Sequence, residues 1–369
     1  MELVFATDRC HLIEDPWQDG AVAIRFYDED ASVAAILEAA ADRPLDGVLV
    51  VGDRPTVIAA RVAEALGLPW HPPAAAAIAR HKQRTREIPS QSPIPNPQSP
   101  LFPCVVKPVA LSGSRGVMRA DDPGELAAAL DRLRALMRSP DVRAERNDAH
   151  DTALVEQFIP GREYAVEALM HQGAMRVLAI FDKPDPLDGP FFEETIYVTP
   201  SRARDEEQRA IVDAIERAAS AIGLRHGPVH AECRVAPDGV VYVLEVAARP
   251  IGGLCARTLR FAEKGVVPLF PFEELLLRHA LGDDPSACDR EHDASGVMMI
   301  PIPRRGIGGR RAAAKTASKA FGAKLASVRQ IVALEDVSRT NQLQSTAWLI
   351  PADTLRNRPR RRRTRAAGK

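Results

Sequence analysis

Glu232 and Glu245 flank an Asp238-Gly239 pair in "HAECRVAPDGVVYVLEVAARPIGG", and Lys107 closes an apolar run in "FPCVVKPVALSGSRGV". Asp-Gly between two alternating runs is a strong hairpin signal. Counting outward from it, Pro237 is expected opposite Val240, Val235 opposite Tyr242 and Glu232 opposite Glu245. Ala231, Cys233, Val235, Tyr242, Leu244 and Val246 would then form an apolar face, with His230, Glu232, Arg234, Glu245 and Arg249 on the other. Two carboxylates opposed across a sheet lie about 5 Å apart and repel. Either Arg234 and Arg249 neutralise them on a solvated face, or a divalent cation sits between them, as Mg²⁺ does with carboxylates and substrate phosphates.

Lys107 raises a parallel question. A lysine at the end of a buried strand needs a counter-charge, and no acidic residue is near it in sequence. The bare loop that follows, "SGSRG", lets backbone N–H groups approach an anion closely. Together they predict a phosphate pocket.

These residues need a scaffold, and 369 residues exceed what one core usually supports, so two or three units are expected. "ELVFATD", "DEDASVAAILEAAADRPL" and "DGVLVVGDRPTVIAARVAEALGLPW" read as strand, helix, strand and helix, a small Rossmann-like unit over residues 1–78. It lacks G-x-G-x-x-G and is expected to wall the site rather than bind a dinucleotide. "PPAAAAIARHKQRTREI" reads as helix, and the proline-dense 88–100 as an extended connector. "DPGELAAALDRLRALMRS" and "EEQRAIVDAIERAASAIGL" are amphipathic helices, and "TALVEQFIPGREYAVEALMHQGAMRVLAIFDK" reads as adjacent strands joined at "IPGRE" and "HQG".

Five scattered cysteines without a C-x-x-C pair are expected to be reduced and mostly buried. No apolar run is long enough for a bilayer and the start lacks a signal-type pattern, so a cytoplasmic protein without a membrane partner is expected. The zero net charge hides a split: residues 304–369 hold seventeen Lys/Arg against three Asp/Glu, +14, leaving −14 on the rest. That tail is expected to be disordered and, lacking a recognition motif, without a specific nucleic-acid partner.

In order and spacing, "VVKP…SGSRGV", "LVEQFIPGREYAVE" and "HAECRV…VYVLEVAARPIGG" resemble the ATP-grasp superfamily, nearest its carboxylate–amine ligase branch, which includes L-amino-acid ligases; biotin carboxylase is a more distant likeness. The resemblance implies an α/β and α+β fold: a Rossmann-like pre-ATP-grasp domain over 1–78, then a two-lobed ATP-grasp domain over 79–303. It implies ATP and Mg²⁺, or Mn²⁺, between the lobes. Lys82, Lys107 and the loop Ser112, Gly113, Ser114, Arg115 and Gly116 would hold the phosphates. Glu156 to Phe158 would form the adenine hinge, Glu163 would hold the ribose, and Glu232 and Glu245 the metal. Arg249 would face the transferred phosphoryl group, with Lys107 assisting.

The implied reaction joins a carboxylate to an amine through an acyl phosphate. The partners are those small-molecule substrates and, as is common among relatives, a second copy of the chain. Three departures stand out. Ala247 replaces a usual asparagine, weakening a second metal position. Roughly twenty residues of the first lobe are replaced by the proline-rich stretch. The likeness ends near "GVMMIPIPRRG". Impaired activity, or nucleotide binding without turnover, is therefore an alternative expectation, as is carboxylation of a separate biotin carrier.

Overall fold

The computed structural model describes residues 3–8, 21–88, 101–192, 194–252, 254–264, 268–300 and 346–350. The connector beyond Ile88, Cys10, and residues 304–345 and 351–369 of the basic tail lie outside the described residues.

Among its described residues the N-terminal unit has two strands, but the second is not the one expected. β1 (Ala6–Thr7) and β2 (Val22–Ala23) form a short parallel pair. Helix α1 (Glu29–Asp42) starts where Asp28 accepts the Ala31 N–H at 3.1 Å, and α2 (Thr56–Leu66) ends on left-handed Gly67. The expected strand around residues 47–51 has no ladder partner among the described residues. Val50 is buried with Val57 and Ala60 instead. A Cβ on Gly47 would lie 2.4 Å from the Ala280 carbonyl oxygen, so close backbone approach and side-chain burial hold this segment.

The helical run after Pro72 divides into α3 (Pro73–Ala79) and α4 (Lys82–Glu87), because His81 is extended and its ring caps the Arg84 N–H. Strands β3 (Cys104–Pro108), β4 (Met118–Ala120) and β5 (Ala153–Gln157) make an antiparallel sheet, ordered β4-β3-β5. Helix α5 (Pro123–Met137), capped by Asp122, buries Leu133 and Met137 against Val106 of this sheet, and the short α6 (Pro140–Arg143) follows.

The second sheet is built from β6 (Arg162–His171), β7 (Ala174–Lys183), β8 (Ile196–Thr199), β9 (Gly227–Val235) and β10 (Val241–Ala247), with α7 (Asp205–Ile222) packed over it. A small sheet of β11 (Arg260–Glu263), β12 (Phe270–Pro271) and β13 (Cys288–Arg290), with α8 (Phe272–Ala280), covers its other face. Adding β14 (Ser295–Ile300) and β15 (Thr346–Ile350) gives the antiparallel order β10-β9-β6-β7-β8-β14-β15.

Three expectations are corrected here. "IPGRE" does not join adjacent strands: β5 and β6 lie in different sheets, so it is the crossing between lobes. The basic tail is not disordered throughout, because β15 pairs with β14. An open sheet edge offers unpaired N–H and C=O groups, and this attraction is invisible in composition.

The hairpin is also longer than counted. Val235 opposes Val241 and Tyr242 opposes Arg234; a bulge at Leu244 then restores Glu232 opposite Glu245. Ala236 N–H donates to Val240 O at 2.9 Å, so the loop holds three residues, Pro237 to Gly239. Val241 and Val243, rather than Tyr242 and Leu244, therefore pack into the core beside Cys233 and Val246.

Candidate active site

A cavity of about 420 Å³ opens between the β4-β3-β5 sheet and the β10-β9-β6 side of the large sheet, with Gly52 and Asp53 of the N-terminal unit at its wall. Of the residues singled out from the sequence, Lys82, Lys107, Ser112, Gly113, Ser114, Glu156, Phe158, Glu163, Glu232, Glu245 and Arg249 line it. Arg115 and Gly116 do not. Arg115 turns away to pair with Asp141 of α6, and Gly116 sits where a Cβ would approach Leu136 to 2.7 Å. The cavity-lining part of the loop is thus Ser112 to Ser114, where Gly113 and Ser114 both have positive φ.

Lys107 has the counter-charge that its burial demands. The β3–β5 ladder sets Glu156 beside it, and the two side chains pair; Arg86 of α4 reaches the same carboxylate at 2.5 Å. Burial pushes the Glu156 carboxyl up, but the two cations outweigh it and hold the group at about 2. Lys82 lies at the start of α4, donates to Leu111 O at 2.8 Å and stands 3.2 Å from Glu245. One short helix thereby carries cations to both sheets.

Across the cavity, Lys183 ends β7 and donates to Glu163 at 2.8 Å and to Glu232 at 2.7 Å. Burial works against its charge, yet Glu232, Glu163 and Glu194 hold its pKa well above the ordinary value. The Glu232 carboxyl is held well below the usual range by Lys183 and His230, against the effect of burial. Glu163 is shared, since Arg234 Nε also donates to it at 2.9 Å. Arg234 further donates to the Ile159 and Leu187 carbonyls and lies over the Phe158 and Phe192 rings.

Arg234 and Arg249 are therefore not the residues paired with the two glutamates: Arg234 serves Glu163, and Arg249 pairs with Asp53 at 2.7 Å. The sequence reading missed Lys183, Glu194, Arg86 and Asp53 and gave His230 no role. Lys183 was recoverable, because "VLAIFDK" places a lysine at the end of an apolar run just as "FPCVVK" does. Arg86 and Asp53 carry no such local signal.

His230 lies between Glu167 and Glu232. Its Nδ1 pairs with the fully buried Glu167, whose other oxygen accepts the Ile251 N–H at 3.0 Å, and its Nε2 lies 3.8 Å from Glu232. Burial opposes the imidazolium, but Glu167 outweighs it and raises His230 to about 9. The donor set suits a hard divalent cation: Glu232 and Glu245 are opposed on paired strands and line one cavity, as oxygen ligands for Mg²⁺ require. Ala247, paired with His230, adds no oxygen from its side chain.

Residues 1–70 match the ATP-grasp N-terminal domain and residues 101–258 the ATP-grasp domain. The chain is 27% identical over 290 residues to carnosine synthase 1 of Gallus gallus, covering 68% of this chain and 30% of that protein. It is 28% identical over 193 residues to D-alanine–D-alanine ligase of Aromatoleum aromaticum (strain DSM 19018 / LMG 30748 / EbN1), covering 48% and 58%. It thus spans less than two thirds of these relatives. Among solved structures, the L-amino acid ligase from Bacillus licheniformis superposes with a TM-score of 0.69 at 27% identity, over 90% of this chain and 82% of that one. Biotin carboxylase from Campylobacter jejuni, at 15% identity and a TM-score of 0.54, covers 77% and 66% and shares the fold. With both ATP-grasp domain types in order along it and that fold around its charged cavity, the chain belongs to the ATP-grasp superfamily.

Proposed function

We propose that this chain is an ADP-forming ligase that phosphorylates a carboxylate, of an amino acid or small peptide, and joins the acyl phosphate to an amine. The observation that carries this reading is the convergence of Lys82, Lys107 and the opposed Glu232 and Glu245 on one cavity beneath a glycine-containing loop, with Lys183 behind them paired to Glu232. ATP with Mg²⁺, or Mn²⁺, would supply the transferable phosphoryl group with its charge partly neutralised. In this reading Lys82 and Lys107 balance phosphate charge, the Ser112 to Ser114 backbone donates to phosphate oxygens, and Phe158 packs against the base. Glu163 accepts the ribose hydroxyls, and Glu232 and Glu245 hold the ion. Arg249, fixed by Asp53, orients the carboxylate and then the acyl phosphate. Phosphoryl transfer asks mainly for positioning and electrostatic stabilisation, and these residues are of the types that provide both.

A second reading, nucleotide binding without turnover, is favoured by one feature: Glu245 and Glu232 already have lysine partners, Lys82 and Lys183. A coupled ADP-release assay over pairs of amino acids, run beside Glu245→Gln, separates the two. The ligase reading expects amine-dependent ADP release that Glu245→Gln abolishes. Release unchanged in that variant overturns the metal assignment. Nucleotide binding with no release across a broad screen supports the second reading.

A further inference from the structure

A second cluster of chemically capable side chains lies far from this cavity. His171 stands eight residues along β6 from Glu163, about 26 Å at the usual rise of a strand. Beside it are His226, just ahead of β9, and His279, in the last turn of α8. One ring nitrogen from each of the three lies within 4.8 Å of the other two. His171 Nδ1 and His279 Nε2 are 3.2 Å apart. Two nitrogens bound to one tetrahedral Zn²⁺ at 2.0–2.1 Å stand about 3.3 Å apart.

The decisive atom is on His226. Its Nε2 faces the His279 carbonyl oxygen at 3.4 Å, and its ring is stacked on His279 with centroids 4.2 Å apart, so one of the two rings has to turn out of the stack for both to meet one ion. Its Nδ1 is buried with no partner among the described residues. A carbonyl accepting from one ring nitrogen, leaving the other with a free lone pair, is the usual arrangement of a metal-bound histidine. The neighbouring His71 lacks it: Nε2 meets Pro228 O at 3.0 Å and Nδ1 accepts the Arg225 N–H at 3.2 Å.

We propose that His171, His226 and His279 bind one tetrahedral divalent transition-metal ion of the Zn²⁺ type, with water in the fourth position. All-imidazole ligation selects such ions over Mg²⁺, which prefers oxygen. The bound ion would cross-link α8 to the ends of β6 and β9, a site separate from the carboxylate-lined cavity.

The test is a Co²⁺ titration of the untagged full chain after chelation, in excess Mg²⁺ to occupy carboxylate sites, read by visible d–d absorption. The expected result is one Co²⁺ per chain with tetrahedral band intensity, displaced by Zn²⁺, and a Zn²⁺-dependent rise in the thermal midpoint. His171→Gln and His226→Gln, each checked for folding by circular dichroism, should weaken binding about 100-fold or more, at least what loss of an outer-shell partner does. His171 is only half-buried, so its variant keeps the test open if His226→Gln fails to fold. Absence of a tetrahedral band in the wild type, or unchanged Co²⁺ affinity in a folded variant, overturns the proposal.

Discussion

Arg249 Nε donates to Asp53 Oδ1 at 2.7 Å, so a carboxylate from the turn ahead of α2 holds the guanidinium that follows β10. Burial raises the Asp53 carboxyl and Arg249 more than reverses that, leaving it below the ordinary range. A depressed carboxylate contributes stability that is present above its unfolded pKa and lost as pH falls through the folded one. Asp53→Asn should cost about 2 kcal/mol at neutral pH, less than for a fully buried pair because both groups keep some solvent contact. If Arg249 orients substrate, kcat should also fall about 10–100-fold through misplacement. Urea denaturation and steady-state kinetics read the two effects separately.

Glu156 offers a sharper acid-side test. Its fall from 4.5 to about 2 corresponds to about 3 kcal/mol, present above pH 4.5 and lost as pH drops toward 2. Glu156→Gln should remove that dependence and destabilise the protein by roughly 3 kcal/mol at pH 7, since Lys107 and Arg86 are left without their carboxylate. Wild-type and variant denaturation curves at pH 7 and pH 3 would disprove this if they shifted in parallel.

His230 works in the opposite direction. An imidazole raised from 6.5 to about 9 contributes roughly 3 kcal/mol below pH 6.5, and this disappears as pH rises through 9. The wild type should therefore lose stability between pH 6.5 and 9, and His230→Gln should lose much less. A ring titration followed by NMR gives the midpoint directly; a value near 6.5 would contradict the Glu167 pairing.

Gly161 lies in the crossing between the sheets with φ +123, and a Cβ there would meet Val235 O at 2.1 Å. Both the conformation and the backbone contact exclude a side chain. Gly161→Ala should lower stability by at least about 2 kcal/mol, measurable as a shifted urea midpoint. A neutral substitution would mean that the crossing relaxes freely.

The parts of the site legible from sequence are those with local signals. Lys107 announced itself as a charge ending an apolar strand, and the opposed glutamates through alternation about Asp238-Gly239. Their opposition was reached through an incorrect count, because the three-residue loop shifts the register and the bulge at Leu244 shifts it back. Periodicity shows neither event. Asp53 and Arg86 reach their partners from distances of 196 and 70 residues along the chain, a matter of tertiary packing alone. The apolar stretch at 47–51 has the composition of a strand, yet Val50 is held by burial without a ladder.

The lysines at the cleft are not bare: Lys107 and Lys82 in its lining have Glu156 and Glu245, and Lys183 beside it has Glu232. If the cleft takes a polyphosphate as proposed, its capture is an exchange of partners. Lys82 turning toward a polyphosphate would then leave Glu245 free to take up a divalent ion. Nucleotide and cation should then tighten one another's hold by equal factors, a reciprocity that paired titrations would quantify.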